Sequence, residues 1–85
     1  MEHRFTGRLR GTDRAGAAYI EVPRFIMRAL PWGRYVRVVA RINDKIELPA
    51  TIMNVGYGPS FLVPRHAVES CGADMNAAVS ISIRT

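Results

Sequence analysis

The sequence predicts a mainly β fold, a small internally duplicated β-barrel with two short helices in one domain spanning residues 1–85. Three observations carry that expectation. A hydrophobic-x-Val-Pro-Arg phrase occurs twice, as Ile20-Glu21-Val22-Pro23-Arg24 and as Phe61-Leu62-Val63-Pro64-Arg65, 41 positions apart. Apolar and polar residues alternate along four stretches with the period of half-buried strands. Strands this short, with two single helices, form no stable open sheet, whereas closure removes unpaired edges.

Shifting the chain over itself by 41 positions places Val38 on Val79, Ala40 on Ile81 and Ile42 on Ile83. Upstream, Phe5 falls on Ile46, Gly7 on Leu48 and Leu9 on Ala50. Residues 1–41 and 42–83 are accordingly expected to be two copies of one unit, related by a pseudo-twofold axis.

In the first unit Phe5, Gly7 and Leu9 alternate with Arg4, Thr6, Arg8 and Arg10, which predicts a strand with one buried face. Gly11 to Gly16 reads as a loop. The next strand, through Ile20 and Val22, stops at Pro23, which has no N–H for a ladder and restrains the residue before it. Pro23 fits the start of a short helix over Arg24–Leu30, with Phe25, Ile26 and Leu30 as its apolar stripe. Pro31-Trp32-Gly33 ends the helix, and Arg34–Ile42 is a strand with Val36, Val38, Ala40 and Ile42 inward. Asn43-Asp44 is a tight turn, because both residues tolerate positive φ.

The second unit repeats this plan. Ile46, Leu48, Ala50 and Ile52 alternate with Lys45, Glu47, Pro49 and Thr51, and Pro49 implies an edge or a bulge there. A loop through Asn54–Pro59, a strand over Ser60–Val63 and a helix over Pro64–Cys71 follow, with Gly72 as its capping glycine. Ala77–Ile83 closes the chain with Val79, Ile81 and Ile83 inward. Six strands are counted in all.

Composition narrows the class. At 85 residues the domain buries only about 60% of its chain surface. No apolar run approaches the roughly 20 residues that span a bilayer, and the N-terminal stretch lacks the apolar region of a secretory signal. Cys71 is the single cysteine, which excludes an internal disulfide framework and fits a reducing compartment. A cytoplasmic, bacterial-type protein without membrane contact is expected.

The order of signals resembles a small bacterial domain of unknown function of the kind found beside OmpD-associated, bacteriocin-protection domains. The resemblance rests on Phe5-Thr6-Gly7, on Ile20-x-Val22-Pro23 and the Ile42-Asn43 turn, and on Gly56-Tyr57-Gly58 with Leu62-Val63-Pro64. It covers essentially the whole chain. It implies a double-split β-barrel, distantly similar in architecture to AbrB- and MazE-like DNA-binding proteins. In those proteins two short chains interleave; the resemblance implies that one duplicated chain supplies both halves here.

The net charge of +5 points to anionic partners, and its distribution sharpens the point. Residues 1–41 carry nine basic and three acidic residues, whereas 42–85 carry three basic and four acidic. Arg4, Arg8, Arg10, Arg37 and Arg41 occupy outward positions of the two long strands of the first unit, a footprint for phosphate contacts with nucleic acid or another anionic partner. The same residues also suit a solvated face kept charged for solubility. A non-enzymatic binding module, as monomer or homodimer, is therefore the expected function, DNA being the most plausible polymer.

The alternative is a small-molecule-binding or biosynthetic accessory enzyme, using an apolar pocket at a barrel end near Trp32, Tyr35 and Tyr57. Trp32 reads as a plug closing one end of the barrel, the alternative being a base-stacking platform beside Arg34 and Tyr35. No catalytic residues, cofactor or metal are expected. His3, His66 and Cys71 complete no tetrahedral set, and Gly56-Tyr57-Gly58-Pro59 lacks the lysine of a phosphate loop.

Overall fold

The N-terminal alternation builds β1 (Glu2–Arg8), with Phe5 inward and Arg4, Thr6 and Arg8 exposed, and continues past Leu9 into β2 (Arg10–Gly11). The following elements are β3 (Ala18–Glu21), α1 (Arg24–Ala29), β4 (Val36–Ile42), β5 (Ile46–Asn54), β6 (Pro59–Val63), α2 (Arg65–Ser70) and β7 (Ala78–Arg84). This is a computed structural model, which describes residues 2–30, 35–54 and 58–85. It has seven strands where six were expected, because the first breaks at Leu9. There the Leu9 N–H donates to the Ala77 carbonyl at 3.2 Å, and the Leu9 carbonyl accepts from the Asn76 N–H at 2.7 Å.

The strands form one antiparallel sheet in the order β1-β7-β4-β5-β6-β3-β2, curled into a half-barrel. The two ends of this order, β1 and β2, are separated in the chain by Leu9 alone. One stretch of chain thus pairs with β7 through residues 2–8 and with β3 through Arg10 and Gly11. The strand β5 divides in the same way. Its residues 46–52 pair with β4, and only Met53 and Asn54 pair with β6. Pro49 therefore lies where β5 has a partner on one side only, so its missing N–H breaks no ladder. The β4–β5 register runs unbroken from Val36↔Ile52 to Ile42↔Ile46, which makes Pro49 an edge residue and leaves no bulge.

The registers repeat between the two halves of the sequence. Ile20 stands opposite Phe61, Ala40 opposite Ile83 and Ile42 opposite Ile81, pairs that a shift of 41 maps onto themselves or each other. The first strand departs from that offset. Phe5 faces Ile81 as Leu48 faces Ala40, so Phe5 corresponds in place to Leu48 rather than to Ile46. A slip of two residues keeps every side chain on the same face, so alternation alone does not reveal it. The surplus residues sit in the Gly11-to-Ala18 connection, longer than its Asn54-to-Pro59 counterpart. By this alignment Gly7 takes the place of Ala50. A Cβ on Gly7 would stand only 3.1 Å from Cγ2 of Ile20, which explains the smaller residue.

Each proline opens its helix from an extended conformation, Pro23 at ψ 150 and Pro64 at ψ 160. The Pro23 carbonyl accepts from the N–H groups of Ile26 and Met27, and the Pro64 carbonyl from those of Ala67 and Val68. Ile26 and Leu30 bury themselves against the sheet as expected, but Phe25 is 62% exposed. On a helix this short a single stripe is buried. Phe25 precedes Ile26 by one residue, about 100° around the axis, and so faces outward. Gly72 follows α2 with φ 76, the left-handed conformation of a helix-ending glycine.

The Asn43-Asp44 turn has φ 53 and 55. The Asn43 side chain ties it down, donating to the Cys71 carbonyl at 3.3 Å and accepting from the Ser80 N–H at 2.9 Å. Beneath the sheet lies one apolar core, in which Leu9, Ile20, Ile42, Ile52, Phe61 and Ile81 are almost wholly buried.

Candidate functional site

The outward rows of β1, β7, β4 and β5 form a charged face. Arg4 and Arg41 lie on either side of Ser82, and Glu47 lies beyond Arg41. One row away, Glu2 lies beside Arg84. Arg8 and Arg37 occupy the ends of this face, on β1 and β4. Four of the five arginines expected to act together, Arg4, Arg8, Arg37 and Arg41, thus share one surface. Arg10 follows on β2, where it pairs with β3 and lines one groove together with Arg8. Arg84 joins the face instead. It escapes a reading by sequence halves because it belongs to the acidic half, although its position directly after inward Ile83 marks it as outward.

Much of this charge is internally paired. Arg41 and Arg84 both contact Glu47, at 3.0 and 2.6 Å, and Arg4 contacts Glu2 at 2.8 Å. Hydrogen bonds from Arg84 and then Arg41 hold the Glu47 carboxyl below its ordinary value of 4.5. Hydrogen bonds from the Ser82 hydroxyl and then from Arg4 do the same for Glu2. Both carboxylates lower the field of the face without cancelling it, since five arginines stand against two glutamates. Arg8 donates to the Asn76 carbonyl at 2.9 Å. Arg37 has no ion pair among the described residues, and Thr51 is its cross-strand neighbour.

Among the described residues, two open grooves flank the face, each where a long strand parts from its second partner. One, of about 410 Å³, lies between β5 and β6 and is lined by Arg37, Pro49, Thr51, Met53, Phe61 and Leu62 among others. The other, of about 220 Å³, lies between the first strand and β3, and is lined by Thr6, Gly7, Arg8, Arg10 and Glu21 with Val22 and Pro23. Arg10 and Glu21 approach to 3.9 Å across it. A third recess, of about 300 Å³, forms where the longer first connection, with Thr12 and Arg14, meets Leu62 and Pro64.

Of the expected apolar pocket, Tyr35 is 63% exposed, while Trp32 and Tyr57 lie outside the described residues. His66 is exposed and Cys71 buried, with the Cys71 thiol directed to the Val68 carbonyl at 3.1 Å. Among the described residues no group of three or more His, Cys, Asp or Glu side chains is placed to hold a metal ion. No described helix is long and apolar enough to cross a membrane. Comparison with protein-family models, with curated proteins and with solved structures finds no match.

Proposed function

We propose that this chain is a binding module whose outer β1-β7-β4 face contacts the phosphates of an anionic polymer, DNA duplex being the simplest case. The observation that supports this most is the clustering of Arg4, Arg8, Arg37, Arg41 and Arg84 on three adjacent strands. A cluster of guanidinium groups suits backbone phosphates, which carry no sequence information, so binding is expected to discriminate little between sequences. Glu2 and Glu47 offset two of the five charges, leaving three. On B-DNA this gives a log–log salt slope of about −2.7, and a roughly 40-fold loss of affinity from about 50 to about 200 mM salt.

The same reading takes the two halves as copies of one unit, of the double-split barrel type that the sequence resembles. The repeated registers support it, as does the element order strand, strand, helix, strand in each half once β1 and β2 are taken as one.

Fluorescence anisotropy with labelled duplex tests the proposal. Arg4→Glu with Arg8→Glu should abolish binding, whereas Lys45→Glu with Arg65→Glu changes net charge equally away from the face and should cost much less. Equal losses would reduce the effect to net charge, and no binding by the unmodified chain at low salt would end the proposal.

A further inference from the structure

The groove between β5 and β6 combines features that its counterpart lacks. In the counterpart, Arg10 and Glu21 form an ion pair at the rim, 3.9 Å apart. Counted from the paired registers, where Arg10↔Tyr19 corresponds to Met53↔Ser60, the matching positions between β5 and β6 are Met53 and Leu62. The ion pair is replaced by two apolar side chains, and Leu62 is 59% exposed although it sits mid-strand. Phe61, 1% exposed, closes the groove from below. The cation changes strand at the same time. Arg37 lines this groove with Thr51 opposite it, where the counterpart has Ala78 with Arg8 opposite. Glu47, the nearest acid on that face by register, is already engaged by Arg41 and Arg84.

We infer that this groove binds a small amphipathic monoanion, its apolar body against Met53, Leu62 and Pro49 and its carboxylate on the guanidinium of Arg37. The volume of about 410 Å³ lies within the range of small-molecule sites, and the lining has the usual composition of an apolar wall with a few polar groups. A guanidinium matches a carboxylate in a two-pronged hydrogen bond, and Thr51 beside it offers a hydroxyl. An exposed apolar rim next to an arginine that has no ion pair among the described residues is complementary to such a ligand. A nucleic acid backbone would use the arginine and leave the rim unused.

The test uses octanoate as the anionic probe and 1-octanol as its neutral counterpart, titrated at neutral pH into the unmodified, isotope-labelled chain and followed by amide chemical shifts. It contains no nucleic acid, so it stands or falls independently of the duplex proposal. Octanoate should shift the amides of Ala50, Thr51, Met53, Ser60, Phe61 and Leu62 in a saturable way, and octanol should bind about tenfold more weakly. Arg37→Gln should remove that difference by weakening octanoate alone, and Leu62→Gln should weaken both probes. Shifts centred elsewhere, an absence of saturable shifts, or equal binding of the two probes by the unmodified chain would overturn the inference.

Discussion

The two grooves are cut into the same framework and carry different chemistry. Each opens where a long strand leaves one neighbour for another, at Leu9 on one side and between Ile52 and Met53 on the other. Beneath them Ile20 and Phe61 face each other across the β3–β6 pair, buried in a common core. The rims differ: Arg10 and Glu21 on one side, Met53 and Leu62 on the other. The difference separates what the fold needs from what it leaves open. Inward positions stay apolar in both halves, while outward positions beside the grooves vary without disturbing the registers.

That comparison can be broken most severely at the shared interior. Phe61→Ala should cost about 3–5 kcal/mol and Ile20→Ala about 2–5 kcal/mol in urea denaturation, since each removes most of a fully buried side chain. A loss below about 1 kcal/mol at either position would mean that the halves do not share one core. Exchanging the rims sharpens the comparison at smaller cost. Met53→Arg with Leu62→Glu transplants the charged rim into the apolar groove, and thermal melting should register a change of under about 1 kcal/mol, because exposed ion pairs contribute little. Octanoate binding should be lost in the same variant.

The smallest effect is expected at Glu47. Its carboxyl titrates below the ordinary value of 4.5 in the folded chain, so its contribution is present above that value and fades as pH falls through the lowered one. Glu47→Gln should flatten the dependence of stability on pH below about 4.5 and leave the remainder of the curve unchanged in slope. Denaturant midpoints across a series of acidic buffers would read this directly.

Inward residues were legible in the sequence because alternation and burial are one signal. The period alone puts Phe5, Val36, Val38, Ala40, Ile42, Val79, Ile81 and Ile83 on the inner face, where they are buried. The prolines and the Asn43-Asp44 turn were legible for a related reason, since their backbone restrictions act locally. Two kinds of information were not. The two-residue slip of the first strand leaves every side chain on its proper face, so only pairing exposes it. Phe25 is the other case, because a helix of six residues offers too little length for a periodic pattern to choose between neighbouring positions. At the charged face the arginines of β1 and β4 could be read from alternation. Which of them would meet a glutamate could not, because Glu47 approaches Arg84 across 37 residues of sequence and two strand boundaries.

The pairing of Glu2 with Arg84 has a topological consequence. It sets the beginning of β1 beside the end of β7, much as the Asn43-Asp44 turn sets Ile42 beside Ile46. The strand order is therefore cyclic. A chain joined from Arg84 to Glu2 by a comparable turn and opened at Asp44 would traverse the same strands in the same neighbourhoods, with β5 first and β4 last. Such a circular permutant would exchange the roles of the two hairpins and alter no register. The position of each strand is thus specified by its lateral partners, and the point at which the chain starts is incidental to the sheet.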